Sequence, residues 1–180
     1  MKWTYFSKMT GLTQSPPRVS ITEVFWSWLG SFLGIAAVAY PNYGWLEQTD
    51  LVLIIGSFGA SAVLIYGAIK SPLAQPRHLI GGHVISACIG VTAWKLLFFQ
   101  PWLAAALAVS VAIAVMHLTK TLHPPGGATA LIAVIGSAKI HHLGYLYVLI
   151  PVAAGAFIML AVALAVNNLA PTRRYPEYWI

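Results

Sequence analysis

Between Lys95 and Lys120 the chain reads LLFFQPWLAAALAVSVAIAVMHLT, residues 96–119, without one charged side chain. A helix needs about 20 apolar residues to cross the hydrocarbon core of a bilayer. Gln100-Pro101 marks a very short turn inside this run, so the spacing predicts a crossing from Trp102 to about Leu118. Similar uncharged tracts run from Val24 to Leu46, Leu51 to Ile69, His78 to Trp94, Thr121 to Ala138 and Ile140 to Thr172. Of the 180 residues, 59% are hydrophobic and 8% are Asp, Glu, Lys or Arg. A soluble domain carries roughly 25% charged residues to keep its surface in water. These tracts could not be hidden in a soluble core. The chain reads as an all-α, polytopic membrane protein of about six transmembrane helices.

The divisions follow from the same pattern. Residues 1–22 form an N-terminal lead-in, residues 23–170 the transmembrane domain, and residues 171–180 a polar tail carrying Arg173, Arg174 and Glu177. The lead-in has no long apolar run ending in small residues, so it does not read as a cleaved signal peptide. Within the domain, spans are expected at Val24–Tyr40, Leu51–Ile69, Leu79–Phe98 and Trp102–Leu118. A short helix follows over about Gly126–Ser137, and a last span lies within Tyr145–Leu169. Twelve residues of helix rise only about 18 Å, well short of a hydrocarbon core of roughly 30 Å. Lys139-Ile140-His141-His142 reads as an interfacial connection, because no carboxylate or cysteine stands beside it to complete a metal site. The single cysteine, Cys88, excludes an intrachain disulfide. The net charge of +6 is scattered singly between spans and makes no nucleic-acid stripe.

With six crossings, Lys2, Lys8, Arg18, Lys70, Arg77, Lys120, Arg173 and Arg174 share one side. Glu47, Asp50 and Lys139 lie on the other. The positive side is assigned to the cytoplasm, with both termini there. An internal echo adds a constraint: Gly59-Ala60-Ser61-Ala62-Val63-Leu64-Ile65 resembles Gly127-Ala128-Thr129-Ala130-Leu131-Ile132. Each copy lies in the second of three helices, so residues 23–99 and 101–169 are expected as 3+3 inverted repeats with interrupted or short helices. Such repeats are a feature of secondary transporters, whose sites lie where broken helices meet. Gly30 and Gly34 on the first span and Gly155 on the last offer small faces for self-association, and a homo-oligomer is expected.

The run His123-Pro124-Pro125-Gly126-Gly127-Ala128-Thr129-Ala130 resembles the signature of the HPP family of integral membrane proteins. Ser71-Pro72-Leu73-Ala74-Gln75-Pro76-Arg77 with Gly81-Gly82-His83, and Gly59-Ala60-Ser61-Ala62-Val63, resemble further motifs of that family in the same order. The likeness extends over roughly Val24 to Asn168. It implies a transporter of a small inorganic anion, with nitrite the leading substrate, in a bacterial or cyanobacterial inner membrane. Some members carry an added soluble C-terminal domain, which is not expected here.

A planar monoanion leaving water needs donors that do not trap it. The N–H groups and positive dipole end of a helix N-terminus can supply them. Pro124 and Pro125 suit the first positions of a helix, and Gly126 and Gly127 leave backbone uncovered. The candidate substrate-binding residues are therefore His123, Pro124, Pro125, Gly126, Gly127 and Thr129, with Ser57, Gly59 and Ser61 from the first repeat. His83 and His117 join them as intramembrane ionisable groups, and any of the three histidines could couple proton movement to the anion. Arg77 and Lys120 could draw anions to a vestibule, and Gln75 could line an entrance. No catalytic residue, metal ligand or cofactor is indicated, because the four acidic residues lie at span ends or outside them. A small-anion channel and a non-transporting assembly subunit remain the alternatives. In the latter case, the His-Pro-Pro helix start would pack dry against its neighbour.

Overall fold

The computed structural model describes residues 8, 9, 11, 13–49 and 51–180. Lys2 and Asp50, counted above in the charge balance, lie outside the described residues. Ser20 caps the first helix by accepting from the Glu23 N–H at 3.2 Å. This helix, α1, spans Ile21–Pro41 and continues through a wider π-type turn at Asn42–Leu46. The following helices are α2 (Ser57–Ala62), α3 (Pro76–Leu97), α4 (Pro101–Leu118), α5 (Pro124–Ile135), α6 (Ala138–Leu143) and α7 (Ala154–Leu169). Proline opens α3, α4 and α5, where the missing N–H costs no intrahelical bond. Ile21–Leu46, Pro76–Leu97, Pro101–Leu118 and Val148–Leu169 are long and apolar enough to cross a bilayer, while Ser57–Gly67 and Pro124–Ile135 are shorter. The chain is an all-α polytopic membrane protein, with no strand among the described residues.

The second span departs from expectation. Residues 51–55 are non-helical, and helix begins only at Ser57, closing through a π-type turn at Val63–Gly67. Non-helical backbone at membrane depth must find partners inside the protein. Asn42 provides one: its Oδ1 accepts from the N–H groups of Leu53 at 2.8 Å and Ile54 at 3.3 Å. Asn167 and Arg173 serve the far end, donating to the carbonyls of Ile65 at 2.9 Å and Tyr66 at 3.0 Å. Replacing Asn42 with leucine is expected to cost about 1–3 kcal/mol, because two backbone donors lose their acceptor. Thermal unfolding of the purified protein in detergent measures it.

Packing between α3 and α5 is the most extensive in the molecule, and α4 packs on both. A Cβ on Gly126 would stand 2.8 Å from the Gly82 carbonyl oxygen, and one on Gly90 would stand 2.5 Å from that of Ala130. Backbone meets backbone there, as small residues permit between helices in lipid. Gly30 and Gly34 do not form an external face. They receive the ring of Tyr66, and Gly155 likewise receives Phe58. These three glycines are spent on packing within the chain, which corrects their assignment to self-association. Phe25, Trp28 and Phe32 instead project outward, where lipid would meet them.

Two connections also differ. Residues 138–143 form the short helix α6, in which His141 Nε2 reaches the Val134 carbonyl at 3.0 Å and its ring stacks on Trp94. The C-terminal tail is not a loose polar end. Arg173 is buried and bonds Glu23 at 2.9 Å, the Tyr66 carbonyl, the Asn167 amide oxygen and Ser27. Beyond it, Tyr175 donates to the Ala74 carbonyl at 2.7 Å, and Gln75 Oε1 accepts from the Glu177 N–H at 2.9 Å. Burial pushes the Tyr175 phenol up, so it remains a donor throughout the neutral range. Together these bonds gather the start of α1, the end of α2, the start of α3 and the chain beyond α7 at one end of the bundle.

Candidate functional site

The two broken segments meet at α3. The chain leaves α4 through Lys120, whose φ of 55° lets the Thr121 N–H reach the Met116 carbonyl at 2.9 Å. It then runs extended into His123, the residue before α5. Ser57 and Ser61 come from α2, His83 from α3 and Thr129 from one turn inside α5. All five side chains are buried, four of them at 0% exposure and Ser57 at 1%. They form one continuous hydrogen-bonded cluster.

Ser61 Oγ lies 2.7 Å from His83 Nε2 and 2.9 Å from His123 Nε2. His123 Nδ1 is 2.8 Å from the Leu73 carbonyl, which can only accept, so that nitrogen carries a hydrogen. The opposite edge of His83 brings Nδ1 within 2.7 Å of Thr129 Oγ1. Thr129 donates to Ser57 Oγ at 2.8 Å, with the Pro125 carbonyl a second acceptor at 3.2 Å. His83 thus bridges Ser61 and Thr129, the matched positions of the internal echo. Phe58 meets His83 edge-on, and Tyr147 donates to the Thr129 carbonyl at 3.1 Å. Among the described residues, every buried side-chain nitrogen and oxygen has a partner.

The remaining candidates fall elsewhere. Pro125 and Gly126 are buried beside the cluster, while Pro124 is exposed. Gly59 is exposed with open space above it, and Gly127 faces Val109 on α4. His117 is exposed on the groove between α4 and α5. Arg77 donates to the Thr119 carbonyl at 2.8 Å, tying the start of α3 to the end of α4, and Lys120 is exposed. Gln75 is buried and donates to the carbonyls of Ile69 and Ser71, so it braces the loop and lines no entrance.

The helix starts themselves offer fewer donors than expected. Pro124 and Pro125 have no N–H, and the Gly126 N–H donates to the His123 carbonyl at 2.7 Å. At α2, the N–H groups of Phe58 and Gly59 donate to the carbonyls of Ile55 and Gly56. The donors that converge here are side-chain groups. Tyr147, Phe58 and the Leu73 carbonyl were not foreseen. The carbonyl carries no sequence signal, and the two aromatics look like any other apolar residue of a span.

A serine between imidazoles is also the contact that activates a nucleophile. Here Ser61 is enclosed between both rings, and the N–H groups of Phe58, Gly59 and Gly126 are engaged with carbonyls, which leaves little room for a substrate carbonyl to be attacked. No group of three or more His, Cys, Asp or Glu that could hold a metal occurs among the described residues.

A polytopic bundle with two interrupted helices meeting at a buried polar cluster defines a class: compact all-α integral membrane proteins. The family is specific. A model of the HPP transmembrane region matches residues 16–176, and the chain belongs to the HPP family of integral membrane proteins. It is similar to two transmembrane proteins of Dictyostelium discoideum. One is 49% identical over 178 residues, covering 97% of this chain and 57% of the relative. The other is 46% identical over 180 residues, covering 97% of this chain and 63% of the relative. The chain therefore spans about six-tenths of the length of these curated relatives. Both are eukaryotic, so they lend no support to the bacterial inner-membrane setting that the resemblance implied. No solved structure matches the chain.

Proposed function

We propose that this chain moves a small inorganic anion, nitrite first among the candidates, across its membrane through the Ser57–Ser61–His83–His123–Thr129 cluster. One observation carries the reading: two histidines and three hydroxyls, drawn from both halves of the chain, are buried together where the broken helices meet. Polar groups at membrane depth are costly, and in such proteins they mark substrate and proton pathways. Nitrite itself rests on the family resemblance. The side carrying Lys70, Arg77, Lys120 and Arg173 is taken as cytoplasmic, on the charge bias of its loops.

A second reading has its own support. The cluster satisfies its own hydrogen bonds, and Gly126 packs closely on Gly82, as a purely structural keystone would. Uptake into sealed vesicles decides between them. Protein-dependent nitrite uptake should saturate, be competed by related anions, and fall at least about tenfold in His123→Ala, equivalent to roughly 1.4 kcal/mol or more. Uptake by a folded His123→Ala variant equal to wild type would remove the cluster from the path. Flux that does not saturate would favour a channel.

A further inference from the structure

The hydrogens of the cluster can be counted. Ser61 has one hydroxyl hydrogen, yet its oxygen lies within bonding distance of Nε2 on both His83 and His123, and the Ser57 carbonyl is a third, weaker acceptor at 3.3 Å. His123 Nδ1 is committed to the Leu73 carbonyl, so Nε2 of the neutral ring is a bare acceptor. Thr129 uses its hydrogen on Ser57 or Pro125. His83 Nδ1 must then donate to Thr129, which leaves His83 Nε2 a bare acceptor too. Two acceptors face a hydroxyl with a single hydrogen. One added proton completes the bridge: an imidazolium donates to Ser61, and Ser61 donates to the other ring.

Loss of that proton is also accommodated. If the Thr129 hydroxyl turns toward His83 Nδ1 and Ser57 donates to Thr129, the chain runs Ser57, Thr129, His83, Ser61, His123, Leu73 carbonyl. Every bond is then made, and both rings are neutral. Hydroxyl rotations and one proton interconvert the two arrangements. A second proton is opposed because the ring centroids are 5.0 Å apart, and like charges at that distance in a buried site repel strongly.

Charge balance gives this count a use. The titratable groups facing the two rings are each other, His78 of α3, held on the neighbouring Leu122 carbonyl at 2.8 Å, and the Tyr147 phenol ahead of α7. From α2 and α5 come only the hydroxyls of Ser57, Ser61 and Thr129. Among the described residues, no Asp, Glu, Lys or Arg side chain is hydrogen-bonded to the cluster. An anion entering so deeply buried a site needs a compensating positive charge, and the bridge can supply one. We propose that the cluster takes up one proton with each anion and carries the two as an electrically neutral pair. This rests on the cluster being the anion's site.

The full chain in sealed vesicles tests it, with nitrite, nitrate and formate as probes. Protein-free vesicles serve as the blank for passage of the undissociated acids. With no membrane potential and the interior one pH unit more alkaline, protein-dependent anion accumulation should rise about tenfold, since one proton per anion is worth about 1.4 kcal/mol per pH unit. Imposing about 59 mV, which would shift a lone charge tenfold, should leave accumulation unchanged. Accumulation that follows the potential and ignores the pH gradient overturns the neutral pair while leaving the anion site standing. A hundredfold response to one pH unit overturns the one-proton count. Absence of protein-dependent flux for all three probes overturns the transport reading itself, and the proposal with it.

Discussion

Arg173→Ala is expected to destabilise the protein by about 2–4 kcal/mol, lowering its unfolding temperature in detergent by on the order of 10 °C. The side chain is 2% exposed and holds Glu23, the Glu23 and Tyr66 carbonyls, Asn167 and Ser27 at once. Its removal leaves the Tyr66 carbonyl and the Asn167 amide oxygen without a donor, each costing about 1–3 kcal/mol. The ion pair adds less than the roughly 3–5 kcal/mol of a fully buried pair, because the Glu23 side chain is 32% exposed and water can take over part of the role. Arg173→Lys should recover little, since an ammonium cannot span acceptors presented to a planar fork. An Arg173→Ala protein that melts with wild type would mean that the tail contributes nothing to closing α2 against α1 and α7.

The second large effect is expected at Ser61→Ala. Its loss takes one oxygen from the cluster and leaves the two Nε2 atoms facing each other with no bridging hydroxyl. Stability should fall by about 1–3 kcal/mol, the cost of unpaired buried polar groups. Uptake per folded molecule should fall at least about tenfold, because in the proposed pathway proton exchange between the rings passes through the oxygen that lies between them. Ser61→Thr keeps the hydroxyl and should retain most of the uptake if the added methyl fits. Measuring melting and uptake on the same preparations separates the two roles. A keystone with no part in transport would lower the melting temperature of Ser61→Ala and leave uptake per folded molecule unchanged.

What could be read from the residues alone follows from locality. Proline acts where it stands, so Pro101 and Pro124-Pro125 gave the starts of α4 and α5 to within a few residues. Twelve apolar residues cannot span a bilayer, and α5 proved to be that short. The non-helical stretch at residues 51–55 was not legible. Leu51-Val52-Leu53-Ile54-Ile55 suits helix or strand equally, and the choice depends on Asn42, which captures two N–H groups from outside the segment. Asn42 itself reads as an ordinary turn residue in Pro41-Asn42-Tyr43-Gly44.

The site divides in the same way. Ser57, Ser61, His83, His123 and Thr129 could be singled out because each is a polar residue at a glycine-rich break or within an apolar tract. Their company could not be. Gly59, Gly127, His117, Arg77 and Lys120 carry the same kind of signal, yet they point elsewhere. Which side of a helix faces inward is set by its neighbours when every side is apolar.

The sequence by itself determined that the chain lives in a bilayer, where α1, α3, α4 and α5 begin to within a few residues, and that two of its spans are broken. Those properties depend on hydrophobic length, charge spacing and proline, which act within a few residues. Only the tertiary structure decided that α3 closes against α5 through Gly82, Gly90 and Gly126, and that Arg173 returns to the start of α1. It also decided that His83 links the matched hydroxyls of the two halves. These are meetings between residues far apart in the chain, selected by close backbone approach and by the need of each buried polar group for a partner.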